Sequence, residues 1–123
     1  MTTREEVYAQ LDEAVQKLIE QVPAMPSFTE GEKILTINLI DKVFRPYVKL
    51  IRDAEMDSMD QDEVFDCVMR CFGSCVTELA VRCVPLDEPA DAEKFYRDAA
   101  RMLSDQMYTG QINLWRNKKD TVQ

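Results

Sequence analysis

The sequence predicts an all-α protein: an antiparallel four-helix bundle whose second helix is kinked or split near Pro46. Three observations lead there. Apolar residues recur at three- and four-residue steps through four long stretches, the period of a helix with one face turned to a core. Punctuation is sparse. Three glycines lie far apart (Gly31, Gly73, Gly110) beside five prolines, which suits a few long helices and not a many-stranded sheet. Two of the stretches open on capping-box pairs, Thr3 with Glu6 and Thr29 with Glu32.

The first helix is expected over residues 3–22, with Val7, Leu11, Val15, Leu18 and Val22 on one face. Pro23 and Pro26 stop it, because proline lacks the amide hydrogen and its ring collides with the preceding turn. The second helix is expected from Thr29 to about residue 51. Its apolar residues cover more than half the circumference, so it should be the most buried of the four. Pro46 falls inside it and removes the hydrogen bond to the Lys42 carbonyl, so a break is expected there. An acidic connector over residues 53–60 follows. The third helix should start at Asp60 or Gln61 and reach Val84, with Pro85 ending it. The fourth opens after Asp87 and Glu88, with Pro89 in the first turn, where its missing amide costs nothing. Phe95, Tyr96, Ala99, Met102, Leu103, Met107 and Leu114 form its expected core face. Arg116, Lys118 and Lys119 place positive charge at the negative end of its dipole.

At 123 residues the chain is expected to be a single helical domain, 1–123, large enough to bury a core without disulfides. Its net charge of −8 would add to a phosphate field instead of neutralising it, which argues against direct binding to nucleic acid or anionic membranes. A basic protein partner suits it, as does a role as an acidic nucleic-acid mimic blocking a basic groove. Arg4, Glu5, Glu6, Asp12, Glu13, Lys17 and Glu20 leave no room for a secretory signal, and no apolar run is long enough for a membrane span. A cytoplasmic location with reduced thiols is the expectation.

Two clusters bear on chemistry. Cys67, Cys71 and Cys75 recur every four residues on the third helix, with Cys83 further along. The helical wheel puts Cys75 and Cys83 toward the apolar face, Cys71 at an intermediate angle and Cys67 near the boundary. Packing as small hydrophobes is therefore the leading expectation for them. Soft thiolates also select copper(I), zinc or iron–sulfur clusters, or serve as redox sensors. That makes the three cysteines the candidates for a thiol-based metal-binding or redox-sensing function. Against a closed metal site, one helix presents its sulfurs in a row and no histidine exists to complete a tetrahedral set. The second cluster is acidic: Asp53, Glu55, Asp57, Asp60, Asp62, Glu63 and Asp66. The first three mimic the start of a calcium loop, but Ser58 stands where glycine makes the turn and Val64 where a bidentate glutamate closes the shell. These carboxylates either favour the start of the third helix or steer a basic partner.

Enzyme signatures are missing. Without histidine there is no Ser–His or Cys–His pair, and three scattered glycines cannot cradle a phosphate. No catalytic residue and no cofactor is expected. If the fourth helix continues past Gly110, Tyr108, Ile112 and Trp115 form a second apolar stripe opposite the core face. Tyrosine and tryptophan are typical interface anchors. The expected function is therefore a non-enzymatic protein-binding module, an inhibitor, adaptor or regulator. Tyr108, Ile112 and Trp115 would be its anchors and Asp53, Glu55, Asp57, Asp60 and Asp62 its steering charges, with a homodimer through the stripe as a further possibility.

Overall fold

The computed structural model describes residues 2–83 and 89–122, with side chains of the last helix described as far as Arg116. Every regular element among the described residues is helical. In order they are α1 (Arg4–Gln21), a 3₁₀ turn (Val22–Ala24), α2 (Glu30–Leu39), a π turn (Ile40–Phe44), α3 (Arg45–Met56), α4 (Gln61–Cys83) and α5 (Pro89–Val122). The chain divides into two compact units, Met1–Asp66 and Cys67–Gln123. Among the described residues no helix is long and apolar enough to cross a membrane.

Local chemistry sets most boundaries. The Thr3 hydroxyl accepts from the Glu6 amide at 3.2 Å, and the Glu6 carboxylate accepts from the Thr3 amide at 3.4 Å, so the first capping box is complete. At α2 only half of the second box forms, with the Thr29 hydroxyl accepting from the Glu32 amide at 3.1 Å. Pro23 does not stop the chain at once. It sits in the first turn of the short 3₁₀ helix, where no donor is missed, and the chain leaves the helical path after Ala24. The Asp60 carboxylate accepts from the Asp62 amide at 2.8 Å and starts α4. Val84 and Pro85, expected to close that helix, lie outside the described residues, as do Asp87 and Glu88 before α5.

The break expected near Pro46 takes a specific form. The chain stays helical from Glu30 to Met56, but over Ile40–Phe44 it widens to a π turn, in which the Arg45 amide reaches back five residues to the Ile40 carbonyl. Pro46 then occupies the first turn of α3. The wider turn moves the Lys42 carbonyl away from the proline ring, which an α-helical register would drive into it.

α3 ends in a Schellman motif. The Met59 amide donates to the Ala54 carbonyl at 2.9 Å and the Ser58 amide to the Glu55 carbonyl at 3.1 Å, with Ser58 held at φ 56°. Glycine usually takes that left-handed position because a Cβ is crowded there.

In the first unit α1 packs against the π turn and α3, and the 3₁₀ turn packs against both α1 and α2. Val15 and Val22 are buried in this unit. Polar links reinforce the α1–α3 contact. Asp12 takes ion pairs from Lys49 at 2.9 Å and Arg45 at 3.0 Å. The Tyr8 hydroxyl donates to Asp53 at 2.5 and 2.7 Å, and Arg4 pairs with Asp57 at 2.9 Å.

The burial expected of the second helix is not found. Neither α2 nor α3 contains a buried residue, and Ile34, Leu35, Leu39, Val43 and Leu50 are each half exposed or more. Their apolar residues encircle the rod, while α1 covers one side of it.

Candidate protein-interaction surface

α5 is the longest element, 34 residues against 23 in α4 and 18 in α1. Pro89 and Asp91 favour its start, and no proline follows. The Glu93–Arg97 ion pair, one turn apart, ties its second turn. Gly110 does not end it. At 1.5 Å per residue α5 spans about 50 Å and α4 about 35 Å, so α5 outruns the helix before it by several turns.

Continuity through Gly110 places Tyr108, Ile112 and Trp115 along one side of a single helix. Tyr108 is 67% exposed, Trp115 is 60% exposed and Ile112 is half-buried. The opposite face carries the correction to the expected core. Phe95 and Ala99 are half-buried, but Met102 is 69% exposed, Met107 63% and Leu103 51%; Tyr96 and Leu114 are exposed as well. Ala80 of α4 is the one buried residue of the second unit among those described. Between the two helices lies an apolar groove of about 430 Å³, lined by Val76 and Leu79 of α4 and by Phe95, Ala99, Met102 and Leu103 of α5, with Asp98 and Gln106 at its polar edge. The wheel identified which side of α5 is apolar. It held no information on whether anything in the chain covers that side. The sequence signal that would have exposed the shortfall is length: a helix of 34 residues has no equally long neighbour to lie against.

The cysteines also depart from expectation. Cys67, Cys71, Cys75 and Cys83 are all free thiols and all exposed, including the two placed toward the core. The reason is again the thin packing of the second unit, which covers α4 around Val76 and Ala80 and leaves most of its circumference open. Among the described residues no group of three or more cysteine, aspartate or glutamate side chains is placed to share a metal ion. The Ser74 and Thr77 hydroxyls donate to the Arg70 and Gly73 carbonyls of their own helix. Among the described residues nothing lies within 4 Å of a Cβ built on Gly73.

The acidic run is largely engaged inside the first unit. Asp53 accepts from Tyr8 and lies 3.5 Å from Arg4. Asp57 pairs with Arg4, Glu55 pairs with Arg52 at 2.9 Å and Asp60 caps α4. Asp62 and Glu63 occupy the first turn of α4, beside the positive end of its dipole. The hydrogen bond to Asp53 holds the Tyr8 phenol above its ordinary pKa, since it favours the protonated phenol. Asp12 is held below the ordinary carboxylate value by its hydrogen bonds from Lys49 and then Arg45. Sequence reasoning did not single out Asp12, Arg45 or Lys49, because their pairing crosses from α1 to α3 and no local spacing announces it. No protein-family model, curated protein or solved structure matches this chain.

Proposed function

We infer that this chain is a non-enzymatic protein-binding module, an inhibitor, adaptor or regulator that works through contact with another protein. The observation that carries the reading is the uninterrupted α5, which sets Tyr108 and Trp115 on the surface one above the other. Aromatic anchors of this kind supply most of the energy in interfaces where a few residues dominate. The antiparallel four-helix packing belongs to the same reading, with the stripe turned outward from it. The net charge of −8 favours a partner with a basic surface and speeds the encounter. Within the acidic set, Asp62 and its exposed neighbours contribute to that field, whereas Asp53 serves chiefly to hold α3 to α1.

The test combines capture and spectroscopy. Trp115 is the single tryptophan, so its emission reports on the stripe directly. In the free protein the indole should emit as a solvent-exposed ring and be quenched by iodide. On adding a captured partner the emission should shift to the blue and become protected. Trp115→Ala should weaken that partner's binding by about 2 kcal/mol or more, roughly 30-fold in Kd. A partner bound equally well by the Trp115→Ala and Tyr108→Ala variants would remove the stripe from the reading.

A second reading rests on the exposure of Cys67, Cys71 and Cys75, spaced one turn apart. It is a thiol-based metal-binding or redox-sensing protein. Elemental analysis of protein purified without chelator that finds no copper, zinc or iron, with thiols inert to mild peroxide, would remove it.

A further inference from the structure

We propose that the thiol stripe of α4 holds one copper(I) ion between two thiolates, Cys71 and either Cys67 or Cys75. Copper(I) binding of this kind rests on the thiol-based reading above and narrows it to one metal, two ligands and one obligatory residue.

Cys67, Cys71 and Cys75 are free and exposed, each one helical turn from the next. At about 100° per residue they sweep about 80° of the α4 surface. The residues that α4 turns inward, half-buried Val76 and buried Ala80, lie on the far side. An ion at the stripe therefore displaces no packed side chain. Side chains one turn apart have Cβ atoms about 5–6 Å from each other. Two thiolates on one soft ion, each about 2.3 Å from it, stand at most about 4.6 Å apart. Each sulfur lies one rotatable bond beyond its Cβ, so a change of χ1 rotamer brings neighbouring thiols to that separation. Cys67 and Cys75 are two turns apart, about 12 Å along the axis, which no rotamer spans. Cys71 is therefore common to both usable pairs, and three sulfurs cannot close on one ion. In keeping with that, no three cysteine, aspartate or glutamate side chains among the described residues are placed to share a metal.

The limit of two sulfurs decides the metal. Structural zinc takes four ligands, and iron–sulfur clusters take four cysteines. α4 offers neither set. Hard cations want several oxygens, and Glu78, which continues the stripe, is paired with Arg82 at 2.9 Å. Copper(I) is soft, prefers thiolates and is satisfied by two of them in a line. Binding involves no change of oxidation state. Two thiols and Cu⁺ give a bis-thiolate complex of charge −1 and release two protons, because the thiolate is the form that ligates.

The experiment is an anaerobic titration of the full-length chain with the acetonitrile complex of copper(I), against ferrozine as competitor, with zinc chloride in a parallel series. Wild type is expected to take one copper(I) per chain. Cys71→Ser leaves two thiols that cannot share an ion, and it should lose about 10²–10⁴-fold in affinity, the advantage of a tethered second ligand. Cys67→Ser and Cys75→Ser each keep one pair and should stay within about threefold of wild type, whereas the two combined should match Cys71→Ser. Cys83→Ser should bind as wild type does. All four positions are exposed, so circular dichroism should show α4 intact in every variant. Binding by Cys71→Ser as tight as wild type would overturn the proposal. So would a wild type that retains no copper(I), and so would thiols that hold zinc in preference to it. Retained zinc, or thiols oxidised by mild peroxide, would keep the thiol-based reading after such a failure; that reading falls only with metal-free protein and inert thiols.

Discussion

Gly110→Ala separates two arrangements of α5. In the structure Gly110 lies inside the helix, its φ is not positive, and a Cβ built on it meets nothing within 4 Å. Alanine there adds no clash and loses no contact. What changes is the backbone: glycine is about 0.5–1 kcal/mol less favourable than alanine within a helix, because it loses more freedom on folding. The variant should therefore gain about 0.5–1 kcal/mol, a rise of about 2–8 °C in Tm for a unit of this size. The assay is a urea or thermal melt followed by circular dichroism, at one fixed protein concentration so that self-association does not confound the comparison. Had Gly110 ended the helix in a left-handed cap, the same change would cost stability, since alanine is strained there. A loss would thus refute the continuous helix and, with it, the alignment of Tyr108 with Trp115.

Four further outcomes are expected. Ser58→Gly should stabilise by about 0.5–1 kcal/mol by relieving the left-handed strain at the end of α3; no gain in a chemical melt would refute that origin. Val22→Ala should cost about 2 kcal/mol, two buried methyl groups plus a residual cavity, whereas Leu50→Ala, at an exposed position, should cost far less in the same melt. Asp12 is held below its ordinary pKa of 3.8 in the folded state, chiefly by Lys49 and then Arg45, so the unfolded chain takes up that proton more readily. Its contribution is full above that value and drains away as pH falls below it and through the lower folded value, so acid titration of Asp12→Asn should show a shallower loss of stability below about pH 4 than wild type. All four thiols should react with a disulfide reagent in the native protein, and thiols that react only after denaturation would contradict their exposure.

The legible parts of this molecule are those governed by neighbours in sequence. Thr3 with Glu6, Asp60 before α4, and Pro89 opening α5 each act within one turn, so residue type and spacing suffice. Pro46 announced a break, but not that the break would be a π turn over Ile40–Phe44, because several distortions can clear the ring from the Lys42 carbonyl. Pairings across the fold left no local trace. Tyr8 and Arg4 reach Asp53 and Asp57 from more than forty residues away, and the acidic run consequently looked freer than it is. Periodicity located the apolar sides of α2, α4 and α5 but was silent on coverage. The buried positions assigned to Cys75, Cys83, Met102 and Leu103 rested on the assumption that each apolar side finds a partner within the chain.

The two sides of α5 differ in the kind of contact they suit. The groove side is built of Phe95, Ala99, Met102 and Leu103, aliphatic and aromatic bodies without polar handles, as in the interior of a domain or an obligate homodimer. The other side offers Tyr108 and Trp115, rings that carry a hydrogen-bonding group at their edge and tolerate water when unbound. Such residues suit a surface that must be soluble before it meets its partner and still contribute strongly once covered.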